Sequence, residues 1–308
     1  MRTLIYRLAA AALSFHAAAA SAVDVQFRHV AEGVYAYIGD TGPRTVENEA
    51  LNANIGLVVT RAGAVLIDSG PTFQAARKID LAVRKVTRQP VRWVINTGGQ
   101  DHRWLGNGYF RAKGAEILAH AKAPADMQSR GGDQLTALRA LLGERADGTL
   151  PTFPTRLIDG DDTRLELGGT VFALRHRNGG HTPGDMMVWL PQKSILFSGD
   201  IVYVERMLAV IPVSSTRNWL EAFALIDQLA PKFIVPGHGN VTDVATARTQ
   251  TRAYLEALRT HMRLAIDAGV DMSEAVKTFD AAPFVHLRNA AELMPSNANR
   301  TYLEIERE

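Results

Sequence analysis

The strongest constraint on the fold is a repeated order of elements: in each half of the chain, hairpin-like β segments come first and strand–helix units follow. Residues 34–38 alternate between apolar and polar, and 55–60 with 64–68 read as a hairpin about residues 61–63. An amphipathic helix at 72–86, a strand at 91–96, a short helix at 104–112 and a strand at 116–119 follow. A helical stretch at 121–142 comes next, broken near Arg130-Gly131-Gly132. The second half repeats the logic. Strands are expected at 163–167, 170–176, 186–190 and 194–198, then a helix at 218–229 stopped by Pro231 and a strand at 233–235. A long helix at 243–268 and a shorter one at 273–279 close the chain. Two such halves can pack sheet on sheet with helices outside, a four-layer αβ/βα sandwich of the α/β (α+β) class. A three-layer doubly wound sheet uses the same elements. No Pro- or Ser-rich linker separates the halves, so residues 23–308 are expected to form a single domain, with C-terminal helices from about residue 243.

The first 22 residues stand apart. Arg2 and Arg7 precede an apolar, alanine-rich run at 8–20, and Ala20-Ser21-Ala22 has the form of a signal-peptidase site. These residues read as a signal peptide cleaved before Val23, so the protein is expected to be periplasmic or secreted. The run is too short for a comfortable membrane span, so no stable membrane anchor is expected after cleavage. Removing the two arginines takes the formal charge from +2 to 0. A nucleic-acid partner, which would need a concentrated basic face, is therefore not expected. With no cysteine in 308 residues, disulfides, Cys-type zinc fingers, iron–sulfur clusters and a thiol nucleophile are excluded. Neither a Gly-x-Ser-x-Gly elbow nor a phosphate-binding glycine loop is present.

Any metal must therefore sit on His, Asp, Glu or neutral oxygen donors. Five segments end an expected strand in a polar or glycine-rich turn: residues 67–70 (Ile-Asp-Ser-Gly), 96–102 (Asn-Thr-Gly-Gly-Gln-Asp-His), 179–185 (Gly-Gly-His-Thr-Pro-Gly-Asp), 198–200 (Ser-Gly-Asp) and 236–239 (Pro-Gly-His-Gly). Their histidines and acids suit Zn²⁺, Fe²⁺ or Mn²⁺. One strand-end histidine alone is more often a hydrogen-bonded surface residue, but five such loops in one order are not readily a coincidence.

That order resembles the metallo-β-lactamase-fold (MBL-fold) hydrolase superfamily over residues 34–241. Gly180-His181-Thr182-Pro183-Gly184-Asp185 matches its metal-ligand loop, Gly199-Asp200 its bridging carboxylate and Pro236-Gly237-His238-Gly239 its last histidine loop. Residues 199–210 with Ile211-Pro212-Val213-Ser214 also look similar to periplasmic members linked to quinoprotein oxidation. The chain departs from the family where His-x-His-x-Asp-His belongs. Read without a gap, Gly98 and Gln100 replace the first two histidines, His102 stands at the aspartate and Arg103 at the last histidine. A one-residue shift instead keeps Asp101-His102 in phase with Asp-His.

The resemblance implies a hydrolase of an ester, thioester, amide or lactam bond in a small molecule, using a metal-activated water. The depleted motif implies an atypical, mononuclear site. The metal ligands would be His102, Asp101, His181, Asp200 and His238, with zinc the expected ion and iron or manganese allowed. Asp101 or Asp200 would handle the proton, and Gln100, Arg103 and Trp104 would contact substrate. The competing expectation is a metal-free, catalytically degenerate scaffold that binds a small molecule as an accessory protein. Met207, Leu208, Val210 and Ile211 would then line either a groove or the core, and the polar run at 41–54 is a candidate lid. His120 and His176 are expected to be non-catalytic.

Overall fold

A computed structural model describes residues 23–308; the expected signal peptide at 1–22 lies outside them. Sheet one runs β1 (Arg28–Ala31), β2 (Val34–Tyr37), β3 (Ile55–Val59), β4 (Ala64–Ile67), β5 (Val91–Ile95), β6 (Glu116–His120) and β7 (Arg156–Ile158), in sequence order. Its first four strands are antiparallel hairpins, and β4 to β7 pair in parallel through crossover helices. Sheet two repeats the pattern with β8 (Asp162–Leu167), β9 (Thr170–His176), β10 (Met186–Leu190) and β11 (Ile195–Tyr203) antiparallel and β12 (Phe233–His238) parallel to β11.

The inward faces of the two sheets meet in one apolar layer, where Val58, Val65 and Ile67 face Phe172, Leu174, Val188 and Phe197. Full burial of such side chains stabilises by about 1.5–3 kcal/mol each. Outside sheet one lie α1 (Phe73–Val86), α2 (Asp101–Trp104), α3 (Asn107–Ala112) and α4 (Ala123–Leu142). Outside sheet two lie α5 (Thr216–Leu229), α6 (Val244–Ala247), α7 (Ala253–Asp267), α8 (Met272–Thr278) and α9 (Ala290–Glu306). This is the four-layer sandwich. Helix starts follow from side-chain caps: Thr72 accepts the Ala75 N–H at 3.0 Å, and Ser215 accepts the Asn218 N–H at 3.2 Å. Among the described residues no helix is long and apolar enough to cross a membrane.

Several elements differ from the expectations. The helix at 121–142 is unbroken, because Gly131 lies against the Trp104 indole, where an added Cβ would come within 2.9 Å of the ring. The helix expected at 104–112 is two pieces, α2 and α3, divided where the Gly106 N–H leaves the helix to donate to Gly70 O at 2.9 Å. A π-helical turn at Arg248–Arg252 interrupts the helix expected at 243–268. Strands β1 and β7 and the final helix α9, which carries Pro295 inside it, were not anticipated.

Candidate active site

The five strand-end loops converge at the end of the sandwich where the parallel strands finish. Asp68 follows β4, the turn 96–100 follows β5, His181 follows β9, Asp200 lies in β11 and His238 ends β12. Asp200 is the hub. Its Oδ2 lies 3.0 Å from His102 Nε2 and 3.9 Å from His181 Nε2, and its Oδ1 lies 3.3 Å from His238 Nε2. His102, Asp200 and His238 offer donor atoms within 4.8 Å of one another and are all buried.

Arg103 lies against Asp200, in the deep part of the site. All five N–H donors of its guanidinium are used. Nε and Nη2 donate to the two Asp200 oxygens at 3.1 and 2.5 Å, and Nη2 also donates to Gly237 O at 3.2 Å. Nη1 donates to Asp68 Oδ2 at 2.9 Å and Asn54 O at 3.1 Å. Gly237 leaves room for this pair, since a Cβ there would lie 2.6 Å from both Arg103 Nη2 and Asp200 Oδ1. In the uninterrupted register Arg103 takes the place of the last histidine, and in the shifted one it follows that histidine. Burial would push the Asp200 carboxyl up, but the Arg103 guanidinium and His102 hold it well below the usual carboxylate range.

Two histidines are set as ligands. His181 Nδ1 donates to Ala209 O at 2.9 Å and His238 Nδ1 to Asn52 O at 2.6 Å, which leaves both Nε2 atoms as lone pairs. Burial keeps both rings neutral, His181 down at about 4 and His238 well below the ordinary value. His238 Nε2 and Asp200 Oδ1 face each other at 3.3 Å. Two ligands of a tetrahedral zinc, each about 2.0–2.1 Å from the ion, stand about 3.3 Å apart. The spacing of this pair suits a small divalent cation.

The remaining sequence candidates fall elsewhere. Asp101 does not reach the donor cluster; its carboxylate is held by Arg44, with Oδ1 2.5 Å from Nη2. Gln100 lines the cavity and accepts from Arg130 Nη1 at 3.0 Å. Trp104 is fully buried and donates from Nε1 to Gly99 O at 3.1 Å, so it supports the turn and does not face substrate. Arg103 likewise does not line the cavity, because every donor is spent on the protein. Met207, Leu208 and Val210 are core residues, while Ile211 lines the cavity. Of the candidate lid, residues 48–54 are buried, and Pro43 and Arg44 line the cavity.

The cavity itself, about 360 Å³, is bounded by Arg44, Gln100, His102, His181, Arg206 and His238, with Tyr203 stacked on the His238 ring at 4.6 Å. Sequence reasoning missed Arg44, Tyr203 and Arg206. Tyr203 and Arg206 lie just beyond the Gly-Asp motif; Arg44 had no signal beyond its place in the polar run.

The profile of the metallo-beta-lactamase superfamily matches residues 48–238. The chain is 28% identical over 203 residues to a metallo-beta-lactamase type 2 of Bacillus sp. (strain 170), covering 63% of this chain and 70% of that one. Among solved structures, a double mutant of the sec-alkylsulfatase PisA1 superposes with a TM-score of 0.73 at 16% identity, over 90% of this chain. The present chain spans half the length of that sulfatase. A metallo-beta-lactamase from Pontibacter korlensis superposes with a TM-score of 0.59 at 22% identity, over 75% of this chain and 99% of its own.

Proposed function

Given that the chain belongs to the metallo-beta-lactamase superfamily, whose members are generally hydrolases, we propose that it is an exported hydrolase acting on an ester, thioester, amide or lactam with one metal ion. The observation that carries this reading is the convergence of His102, Asp200 and His238, with His238 Nε2 3.3 Å from Asp200 Oδ1 and its Nδ1 committed to Asn52 O. His102, Asp200 and His238 would hold the ion, with His181 beside them, and the nitrogen and oxygen donors favour zinc. Bound there, zinc would lower the pKa of its water toward ~7 and polarise the scissile oxygen.

The chain's own residues supply the rest. Asp200, kept ionised by Arg103, is the carboxylate placed to orient the attacking water. Asp101 is a positioning residue that touches His102 and not the cavity. Arg206 and Glu292 both line the rim and Arg44 is paired with Asp101, so the rim carries charges of both signs. Export is supported by the basic, apolar and small-residue order of residues 1–22.

A second reading, a metal-free binding protein, is favoured by Arg103. It already places a buried positive charge between Asp68 and Asp200. Metal analysis of chain recovered from the periplasm separates the two. We expect about one zinc per chain, N-terminal sequence beginning at Val23, and loss of zinc in His102→Ala and His238→Ala. Zinc below ~0.2 per chain after growth in zinc-supplemented medium would favour the binding protein.

A further inference from the structure

Arg44 reaches over the cavity from the loop between β2 and β3 and meets two groups at once. It forms a two-pronged ion pair with Asp101, and its Nη2 lies 2.8 Å from His102 Nδ1. A guanidinium only donates, so His102 Nδ1 must accept, and the neutral ring carries its proton on Nε2. That N–H points at Asp200 Oδ2, 3.0 Å away. With Arg44 docked, His102 therefore turns a proton toward the place where His181 and His238 turn lone pairs.

A second acceptor for Nδ1 is already in place. Asp101 Oδ1 lies 3.5 Å from His102 Nδ1. If Arg44 withdraws, Nδ1 can carry the proton and donate it to Asp101, which leaves Nε2 as a free lone pair. A carboxylate behind a ligating histidine is the usual support for a metal ligand. Asp101 would not be stranded by the change, since the His102 backbone N–H at 2.8 Å and Gln100 Nε2 at 3.3 Å still donate to it. Nor must the loop unfold. Its anchors are elsewhere: Arg206 Nη1 holds Gly42 O at 2.5 Å, and Arg145 holds Val46 O. The Arg44 side chain is 25% exposed against 3% for Asp101, so it has solvent to withdraw into.

We propose that Arg44 is a latch on the metal site: docked, it holds His102 in the tautomer that rejects a metal, and withdrawn, it lets Asp101 set the tautomer that accepts one. This rests on the reading that His102, Asp200 and His238 bind the ion. Metal binding and movement of Arg44 are then the same event, because a metal on His102 Nε2 puts an N–H on Nδ1 against the Arg44 donor.

The test uses the chain from Val23 onward and the variants Arg44→Met, Arg44→Lys and Arg44→Met/Asp101→Leu. In metal-free protein, ¹⁵N shifts of the His102 ring should read Nε2–H in the wild type and in Arg44→Lys, which still donates, and Nδ1–H in Arg44→Met. Zinc affinity by chelator competition should rise at least tenfold in Arg44→Met, and the added Asp101→Leu change, which leaves Nδ1 no acceptor there, should remove that gain. A ring that keeps Nε2–H in Arg44→Met, with zinc affinity unchanged, overturns the latch and leaves the metal site standing. Zinc binding that is indifferent to His102→Ala and His238→Ala overturns the metal site, and the latch with it.

Discussion

Arg103 is the residue on which the site's electrostatics turn. Its guanidinium is 1% exposed and shared by Asp68 and Asp200, both buried to a similar degree. Taking these charges out of water is costly, and the cost is offset only because every N–H finds an acceptor. Removing the cation leaves two buried carboxylates facing one another. An Arg103→Met variant should therefore lose about 3–5 kcal/mol of stability in urea unfolding. Arg103→Lys keeps the charge but offers three donors to five acceptors, and should fall between the two. A methionine variant within about 1 kcal/mol of wild type would show that the carboxylates are protonated or solvated without Arg103. In the sequence only one of the two open registers put Arg103 at a ligand position, and it was expected to contact substrate. Its role was not legible, because Asp68 and Asn54 reach it only through the fold. Arg44 was less legible still: it meets Asp101 from a loop with no periodicity, and only the closed structure brings the two together.

At the scale of elements, α4 shows how a local signal misleads. Paired glycines at 131 and 132 are poor helix formers and read as a break, yet α4 runs from Ala123 to Leu142 without one. Tertiary packing overrides propensity here. Gly131 gives the Trp104 ring its place, and Trp104, Arg130 and Gln134 all donate to Gly99 O, which pins the turn that carries Gln100. Gly132 faces open space. The two glycines should therefore respond oppositely to alanine. Gly132→Ala should stabilise by up to about 1 kcal/mol through helix propensity. Gly131→Ala should destabilise by about 1–2 kcal/mol, because crowding against Trp104 exceeds the same propensity gain. Equal shifts in thermal denaturation midpoint would show that Trp104 yields freely. The alternating hairpins and the strand–helix order were readable because burial on one face leaves a period in the sequence. The ends of the sheets left none. β1 is mostly exposed, β7 has three residues, and α9 carries Pro295 and buries Asn297 and Thr301 among its apolar residues.

For the molecule as a whole, the two sheets meet near the site through a pair of stacked histidines. His120 ends β6 in sheet one and His176 ends β9 in sheet two, with ring centroids 3.6 Å apart and planes 16° from parallel. Both are buried, and His176 Nε2 has no hydrogen-bond partner. Burial lowers both; His120 goes down to about 4, aided by the His176 ring and Lys122 against Asp161 and Asp159, while the Asp185 main-chain oxygen opposes the fall at His176. Between about 4 and the ordinary 6.5 the unfolded chain binds more protons at His120 than the native one, so this contribution is present above 6.5 and is lost as pH falls. Asp185, whose main-chain oxygen faces His176 Nδ1 at 2.8 Å, has the opposite slope. Burial raises its carboxyl to about 7, so its contribution is present below the ordinary 3.8 and lost as pH rises through 7. The two opposing terms flatten the total, and only a difference between variants exposes either. In His120→Phe the stack survives without the charge. From pH 7 to 4.5, wild type should lose about 2 kcal/mol more stability than His120→Phe, with the Asp185 term cancelling in the comparison. Parallel denaturation curves for the two proteins would mean that acid opens this seam enough to hydrate His120, and that the sheets are not locked together at the end that carries the site.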